Sequence, residues 1–273
     1  MKVDLHIHSY LSDGKYSPSQ IVAYSVQRHL DVIALTDHDT IAGLREARET
    51  LRQYPISFVP GVEFSTSISE DELHILGYGI DETYPAMIEF LARAQASRRK
   101  RVCRILHRLE QAGIRIGLEE LRNGASPVSV GRMHIARLLL KRGHVRTIRE
   151  AFERYLSYKT KFVERSPADF ISSQKAIELI RAAGGIAVFA HPTIALFDRY
   201  IDPLIEAGLQ GVEVFKGTRP SIEEFYLETV VQDKGLLLTG GSDWHGYHYS
   251  CALGNFYVDS EQIQPFLNAM QIC

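Results

Sequence analysis

The chain has 273 residues, 45% of them hydrophobic, which is enough to bury a hydrophobic core as one large domain or two modest ones. Its three cysteines, Cys103, Cys251 and Cys273, lack C-x-x-C spacing, which argues against a disulfide or zinc-thiolate scaffold and for a reduced cytoplasmic enzyme. The net charge is −2, and we find neither a signal peptide nor an apolar run of membrane-spanning length, so we expect no membrane partner.

The first predicted strand, "VDLHIH" (residues 3–8), alternates apolar residues with Asp4, His6 and His8. Side chains two residues apart in a strand point the same way and lie roughly 6.6–7 Å apart, so both imidazoles can lean onto one metal ion. Asp4 shares their face and is a candidate to orient one ring. A lone H-x-H pair is equally compatible with two core histidines, so the interpretation depends on the rest of the chain.

Further along the chain, helical and strand patterns alternate. After the Asp13-Gly14 turn, Ser17, Pro18 and Gln20 have the pattern of a capped helix N-terminus. We predict a helix end at Gly184-Gly185 and a late strand at "NFYV" (255–258). The alternation predicts a largely parallel sheet with helices on both faces, and chemistry just beyond the strand ends favours a barrel over an open sheet.

Most of these predicted strands carry, or lead directly into, residues that can bind metal. Six of the eleven histidines lie at or near predicted strand ends, which a scattered surface population would not do. The candidates, in chain order, are His6, His8, Asp13, Asp37, His38, Asp39, Glu63, His74, His191, Asp243 and His245.

A basic segment interrupts the alternation. Residues 93–165 contain 19 Lys/Arg and 6 Asp/Glu, a charge of +13, and the rest of the chain carries −15. Apolar residues at helical spacing on both sides of "GRMHIARLLLKRG" predict about three helices here. We therefore predict a basic, all-helical insert at 93–160 within a catalytic barrel formed by 1–92 and 161–273. Such a split in charge suits an anionic substrate, although a solvated Arg-rich face is the alternative.

The motifs "DLHIHS", "SDG", "LTDHDT", "PGVEFS", "LHILGYG", "FAHP" and "GSDWHG" resemble, in order, those of the PHP (polymerase and histidinol phosphatase) family of metal-dependent phosphoesterases. The insert with "GRMHIA" resembles the subgroup that acts on nucleoside 3′,5′-bisphosphates and short oligonucleotides. The resemblance implies an α/β fold, a distorted seven-stranded β/α (TIM-like) barrel with an inserted small helical subdomain. One local departure is Thr193, which replaces a glycine common after the His-Pro pair and puts the shape of that loop in doubt.

The resemblance also implies three divalent metal ions, Mn²⁺ by the subgroup, with Fe²⁺ and Zn²⁺ compatible with the mixed imidazole and carboxylate ligands. It implies the following sets: His6, His8, Glu63 and Asp243 for one ion; Glu63, His74 and His191 for a second; and Asp13, His38 and His245 for a third.

We expect the reaction to be attack on a phosphate ester by a metal-bridging hydroxide, because two ions can share a hydroxide and polarise a phosphoryl oxygen. No serine or cysteine nucleophile is assigned. Arg132, His134 and Lys159 are candidates for substrate binding, and guanidinium geometry suits Arg132 to a second phosphate.

These observations predict a nucleotide phosphatase or exonuclease, acting on 3′,5′-bisphosphate nucleotides or the 5′ ends of short single-stranded oligonucleotides, with no obligate protein partner. One alternative is histidinol-phosphate phosphatase, against which the basic insert argues. Another is a non-catalytic, metal-stabilised module that binds nucleic acid, although none of the nine metal positions is substituted.

Overall fold

A computed structural model describes residues 1–121, 127–164, 170–217, 221–247 and 252–272. Cys251 and Cys273 lie outside the described residues, and Cys103 is an exposed free thiol. Within the described residues the strands are β1 (Lys2–Asp4), β2 (Val32–Leu35), β3 (Ser57–Ile68), β4 (Asp71–Tyr78), β5 (Ile171–Ser172), β6 (Ile186–Phe189), β7 (Gly211–Phe215), β8 (Leu237–Gly240) and β9 (Val258–Asp259). The α-helices there are α1 (Pro18–Gln27), α2 (Leu44–Leu51), α3 (Pro85–Gln111), α4 (Arg132–Lys141), α5 (Ile148–Ala151), α6 (Ser173–Ala182), α7 (Ile194–Glu206), α8 (Ile222–Asp233) and α9 (Gln264–Ala269).

The sheet contains nine strands among the described residues and forms a distorted barrel, as the family resemblance implies, with seven strands in its main order. Its strand order is β8-β7-β6-β4-β3-β2-β1, with β9 paired beyond β1 and β5 paired to β3. The barrel closes where the chain after β1 meets the chain after β8: the Leu5 N–H donates to the Gly240 carbonyl at 3.3 Å, and Ile7 forms a parallel bridge with Trp244.

The distortion comes from β4, which runs antiparallel to both its neighbours. A two-residue turn joins β3 to β4, so they form a hairpin, whereas β2 to β3 and β6 to β7 are parallel crossovers. The predicted strand "NFYV" is mostly wrong, because only Val258 of that stretch lies in a strand, β9.

Local sequence determines the ends of two helices. Ser17 accepts a hydrogen bond from the Gln20 N–H, and the Gln20 side chain accepts one from the Ser17 N–H, which confirms the capping box. Gly184 follows α6 with a φ of +77°, a left-handed conformation that glycine adopts without strain, which confirms the predicted helix end.

Two hydrophobic cores share the long helix α3. Met87 and Phe90, in its first turns, pack against the barrel core. Val102 and Ile105, further along, belong to a second core that also contains residues of α4 and ends at Val163. The predicted boundary between residues 92 and 93 falls inside this continuous helix, and the division into barrel and insert stays a prediction.

Candidate metal centre

The barrel brings the nine predicted metal-binding residues to one end of its interior. His6 and His8 extend β1, Asp13 lies in the next turn, His38 follows β2, Glu63 lies in β3, His74 lies in β4, His191 follows β6, and Asp243 and His245 follow β8. Parallel strands deliver their following residues to the same end of a barrel, which explains most of these positions. His74 is delivered by the reversed strand β4, where it pairs with Ser65 of β3.

Glu63 is the centre of the cluster. It is fully buried, and five imidazole rings surround its carboxylate. The nitrogen–oxygen distances are 2.7 Å for His74 Nδ1, 2.9 Å for His191 Nε2, 3.0 Å for His38 Nδ1, 3.2 Å for His8 Nε2 and 3.3 Å for His6 Nε2.

Several atoms of this cluster lack hydrogen-bond partners among the described residues. They are His6 Nε2, His8 Nε2, His38 Nδ1 and Glu63 Oε2, all buried. Leaving a buried polar atom unsatisfied costs about 1–3 kcal/mol, so four such atoms facing one another need a further partner. Nitrogen lone pairs and a carboxylate oxygen converging on one point fit a divalent cation.

The groups that could each hold an ion resemble the predicted sets, with some regrouping. In each group the ligand atoms lie within 4.8 Å of one another. The groups are His6, His8, Glu63 and Asp243; then His8, Asp13, His38 and His245; then His38, Glu63 and His74. His191 Nε2 lies 2.9 Å from Glu63 Oε1, but His191 is outside these three groups, and its assignment to the second ion stays a prediction.

Carboxylates dominate the electrostatics of the cluster in the absence of a cation. Burial by itself lowers the pKa of His8, but Asp243 and Glu63 outweigh it and raise that pKa to about 10. Burial likewise lowers the pKa of His6, and Glu213 and Glu63 raise it well above the usual range. Both shifts reflect the buried carboxylate charge of the cluster, which a divalent cation would neutralise.

The backbone is strained beside the cluster. Asp39, His191 and Asp243 have φ values of +50°, +31° and +50°, in the left-handed region that residues other than glycine seldom adopt. Such conformations cost of the order of 1–3 kcal/mol each and concentrate at functional sites.

Glu213 on β7 is a functional candidate that sequence reasoning missed. Its carboxylate lies 2.8 Å from His6 Nδ1 and accepts a hydrogen bond from the His191 N–H at 2.9 Å. It therefore directs Nε2 of His6 towards the cluster. The available signal was a carboxylate in the middle of the apolar strand "GVEVF".

Asp4 does not orient a ring, contrary to the sequence-based expectation. It accepts hydrogen bonds from the N–H and hydroxyl of Ser242 at 2.9 and 2.7 Å, and from the His6 N–H at 3.3 Å. Burial raises the pKa of its carboxyl to about 6, and the bonds from Ser242 oppose this rise. Asp4 thus fixes the backbone on both sides of the barrel seam.

A cavity of about 250 Å³ opens over the cluster. His38, His74, His191 and His245 line it, as do three arginines, Arg98, Arg101 and Arg132. The cavity therefore combines candidate metal-binding groups with guanidinium groups.

Arg132 lies on the cavity wall, as its predicted role in substrate binding requires. Its Nη2 donates to Glu72 Oε2 at 2.6 Å, and its guanidinium lies 4.6 Å from the centre of the Tyr158 ring. Beside it, Arg101 is 3% exposed, and its Nε has no hydrogen-bond partner among the described residues. A buried guanidinium with an unused donor is suited to an anion entering the cavity.

The other two predicted substrate residues lie elsewhere. His134 does not line this cavity: its Nδ1 accepts a hydrogen bond from the Gly131 N–H at 3.1 Å, and burial lowers its pKa to about 4. Lys159 is exposed. The sequence analysis did not predict a role for Arg98 or Arg101 in substrate binding. The available signal was their helical spacing with Ala94 and Ile105, which places two charged residues on the buried face of α3.

Among the described residues, no helix combines the length and apolar character needed to span a membrane.

Comparison with known proteins gives a consistent family. Residues 4–182 match the family described as the PHP domain. A 5′-3′ exoribonuclease of Haemophilus influenzae is 42% identical over 195 residues, which are 70% of this chain and 69% of that protein. A 3′,5′-nucleoside bisphosphate phosphatase of Chromobacterium violaceum is 35% identical over 251 residues, 89% of this chain and 87% of that protein. A solved structure described as a metal-dependent phosphoesterase of Bifidobacterium adolescentis superposes with a TM-score of 0.87 at 30% identity, covering 98% of this chain and 96% of that one.

Proposed function

This chain belongs to the PHP domain family, and we propose that it is a metal-dependent phosphoesterase acting on nucleotides. Its substrates are 3′,5′-bisphosphate nucleotides, the 5′ ends of short oligonucleotides, or both. The observation that carries the proposal is a set of four buried atoms, of His6, His8, His38 and Glu63, that lack a hydrogen-bond partner among the described residues, beside a cavity that three arginines help to line.

The proposed cofactor is a set of three divalent ions, Mn²⁺ in particular. We assign them to the nine residues of the cluster as the family resemblance implies, with Glu63 shared between two ions. Imidazole and carboxylate donors suit Mn²⁺, Fe²⁺ and Zn²⁺ alike, so the donor set supports the class of ion and the resemblance supports manganese. When bound, such ions acidify water to a nucleophile and polarise phosphoryl oxygens.

The protein's own groups bind and orient the substrate in this proposal. Arg132 and Arg101 hold a second phosphate in the cavity, where the unused Nε of Arg101 gives a directed donor. Three serines are next to cluster residues in the sequence, and all three hydroxyls donate to carboxylates: Ser9 and Ser12 to Asp37, each at 2.6 Å, and Ser242 to Asp4 at 2.7 Å. This arrangement agrees with a reaction that needs no protein nucleophile.

The basic helical segment 93–160 forms the substrate-capping part in this proposal, and the expected partner is a nucleotide or a short single strand. Two of the three cavity arginines, Arg98 and Arg101, belong to α3, and Arg132 belongs to α4. Cationic side chains around a cavity attract phosphates and raise their local concentration. A cytoplasmic location stays a prediction.

The test is a phosphate-release screen with Mn²⁺ over adenosine 3′,5′-bisphosphate, p-nitrophenyl phosphate, histidinol phosphate and short RNAs. We expect the bisphosphate or RNA to be preferred, and His8→Ala or Asp243→Asn to abolish turnover. Arg132→Ala should lower kcat/KM for the bisphosphate about 10- to 100-fold, the value of a charge-assisted hydrogen bond of about 1.5–3 kcal/mol, and spare the aryl phosphate.

The control for Arg132→Ala is Arg149→Ala, which removes an exposed arginine paired with Glu153. Equal losses of Arg132→Ala on both substrates would contradict the second-phosphate role. Preference for histidinol phosphate would favour that phosphatase instead, and oligonucleotide binding without phosphate release would favour a non-catalytic module.

A further inference from the structure

A second cavity, of about 240 Å³, lies outside the metal centre, and we call it the outer groove. It is bounded by α4, the short turn Leu118–Leu121 and the chain just after His245. Its lining residues are Leu121, Arg137, Leu138, Leu140, Lys141 and Tyr247, together with His134 and one carboxylate, Glu120, which forms an ion pair with Arg142. Its volume is just under the roughly 300 Å³ at which sites for drug-sized ligands begin, so it is suited to a smaller planar group.

The outer groove and the metal cavity are separated by one loop. Asp13 lines the metal cavity, whereas Gly14 and Lys15 line a small cavity that shares Leu121 and Tyr247 with the outer groove. The Tyr247 hydroxyl donates to the Gly14 carbonyl at 3.2 Å and fixes the groove to this loop. The outer groove therefore adjoins the loop that carries Asp13.

Arg132 and the outer groove lie near different residues of the metal centre. Arg132 contacts Glu72, whose carboxylate lies 4.0 Å from the His74 ring. The ring centre of His74 is 5.1 Å from that of His38, which is 6.4 Å from that of His245. Arg132 thus lies on the His74 side of the cluster, whereas His245 is two residues before Tyr247, which lines the outer groove.

The chemistry of the groove matches a nucleotide. The Arg137 guanidinium lies 3.5 Å from the centre of the Tyr247 ring, beside the apolar side chains of Leu121 and Leu138. Aromatic rings and guanidinium planes stack on bases of any sequence, and cations such as Lys141 attract the phosphates between them.

We propose that the outer groove binds the part of an oligonucleotide substrate that lies beyond the scissile bond, taking a base against its apolar floor and a phosphate at Lys141. This assignment rests on the proposed function. Hydrolysis adds the oxygen of water to the scissile phosphorus and breaks its bond to the leaving oxygen, which takes a proton. The groove then holds the shortened strand as product.

The experiment compares kcat/KM for a 5′-phosphorylated pentaribonucleotide with kcat/KM for adenosine 3′,5′-bisphosphate. Leu140→Trp narrows the groove, and Lys141→Glu reverses a charge in it. We expect each variant to lower the ratio of kcat/KM for the pentaribonucleotide to kcat/KM for the bisphosphate at least about five-fold. This is the lower end of the contribution of one stacked base. Lys141→Glu should also weaken the salt dependence measured with the pentanucleotide.

The matched control is Arg52→Glu, which makes the same charge change at an exposed position after α2 and should keep the ratio. An unchanged ratio in both groove variants overturns the assignment, as does an equal fall for both substrates. Hydrolysis of the bisphosphate without hydrolysis or binding of the pentanucleotide overturns the groove alone, whereas no hydrolysis of any phosphate ester overturns the proposed function.

Discussion

Glu72 offers a quantitative test of the electrostatics at the arginines that line the metal cavity. Burial raises the pKa of its carboxyl, but Arg132 and Arg101 outweigh burial and lower that pKa from 4.5 to about 2. The substitution Glu72→Gln removes the charge, keeps the shape, and leaves both guanidinium groups without their common carboxylate.

The expected loss of stability follows from that pKa. Each pKa unit corresponds to about 1.4 kcal/mol, so the shift corresponds to about 3 kcal/mol of unfolding free energy at pH 7. Burial also lowers the pKa of Arg101, which offsets part of this gain, so we expect a loss of about 2–3 kcal/mol. Because the folded-state pKa lies below the usual one, the stabilisation is present above about pH 4.5 and is lost as the pH falls through about 2.

The assay is urea unfolding of chelator-treated protein at pH 7 and at steps towards pH 3. The matched control is Glu178→Gln, which removes an exposed carboxylate paired with Lys175 and should cost less than about 1 kcal/mol. The reasoning is refuted if Glu72→Gln destabilises no more than the control, or if its effect grows as the pH falls.

Three further predictions concern other parts of the molecule. Glu213→Gln should weaken Mn²⁺ binding about 10- to 100-fold in calorimetry, because Glu213 orients His6. The control Glu206→Gln, at an exposed position of α7, should leave Mn²⁺ binding unchanged. Equal Mn²⁺ affinities of the two variants would exclude the orienting role of Glu213. Mn²⁺ affinity should rise between pH 6 and 8, because the pKa of His8, about 10 without metal, means that the ion must displace a proton from it. Calorimetry should detect the released protons, and equal affinities at both pH values would contradict this prediction. Ser17→Ala should lower the unfolding free energy by about 1 kcal/mol, and no change in the urea midpoint would exclude the cap as a source of stability.

Much of the fold and of the candidate site is local in the sequence. The alternation around His6 and His8 predicts the first strand, and the structure buries both rings on its polar face. Capping residues predict the start of α1 and glycine predicts the end of α6, because both depend on neighbours within a few positions. The nine candidate metal residues come together at one end of the barrel, although their individual roles as ligands stay predictions.

The remaining features depend on contacts between distant segments. Glu213 meets His6 across 207 residues, and single-sequence periodicity carries no information about such pairs. The reversal of β4 follows from a short hairpin turn at Ser69–Glu70 between two apolar strands, and an apolar strand pattern is the same in either direction. The pairing of Arg101 with Glu72 of β4, at 3.8 Å, likewise depends on a contact between distant segments.

The seam that closes the barrel is made of the same residues that surround the metal centre. The Trp244 N–H donates to the His6 carbonyl and the His8 N–H donates to the Trp244 carbonyl, so the backbone between these candidate ligands is also the last ladder of the sheet. Across that ladder, Asp243 Oδ1 lies 3.4 Å from His6 Nε2 and 3.1 Å from His8 Nε2, so opening the ladder would separate these candidate ligands. We therefore expect opening of the barrel at this edge and release of a bound ion to be coupled, so that a substitution that stabilises the seam also slows the exchange of metal.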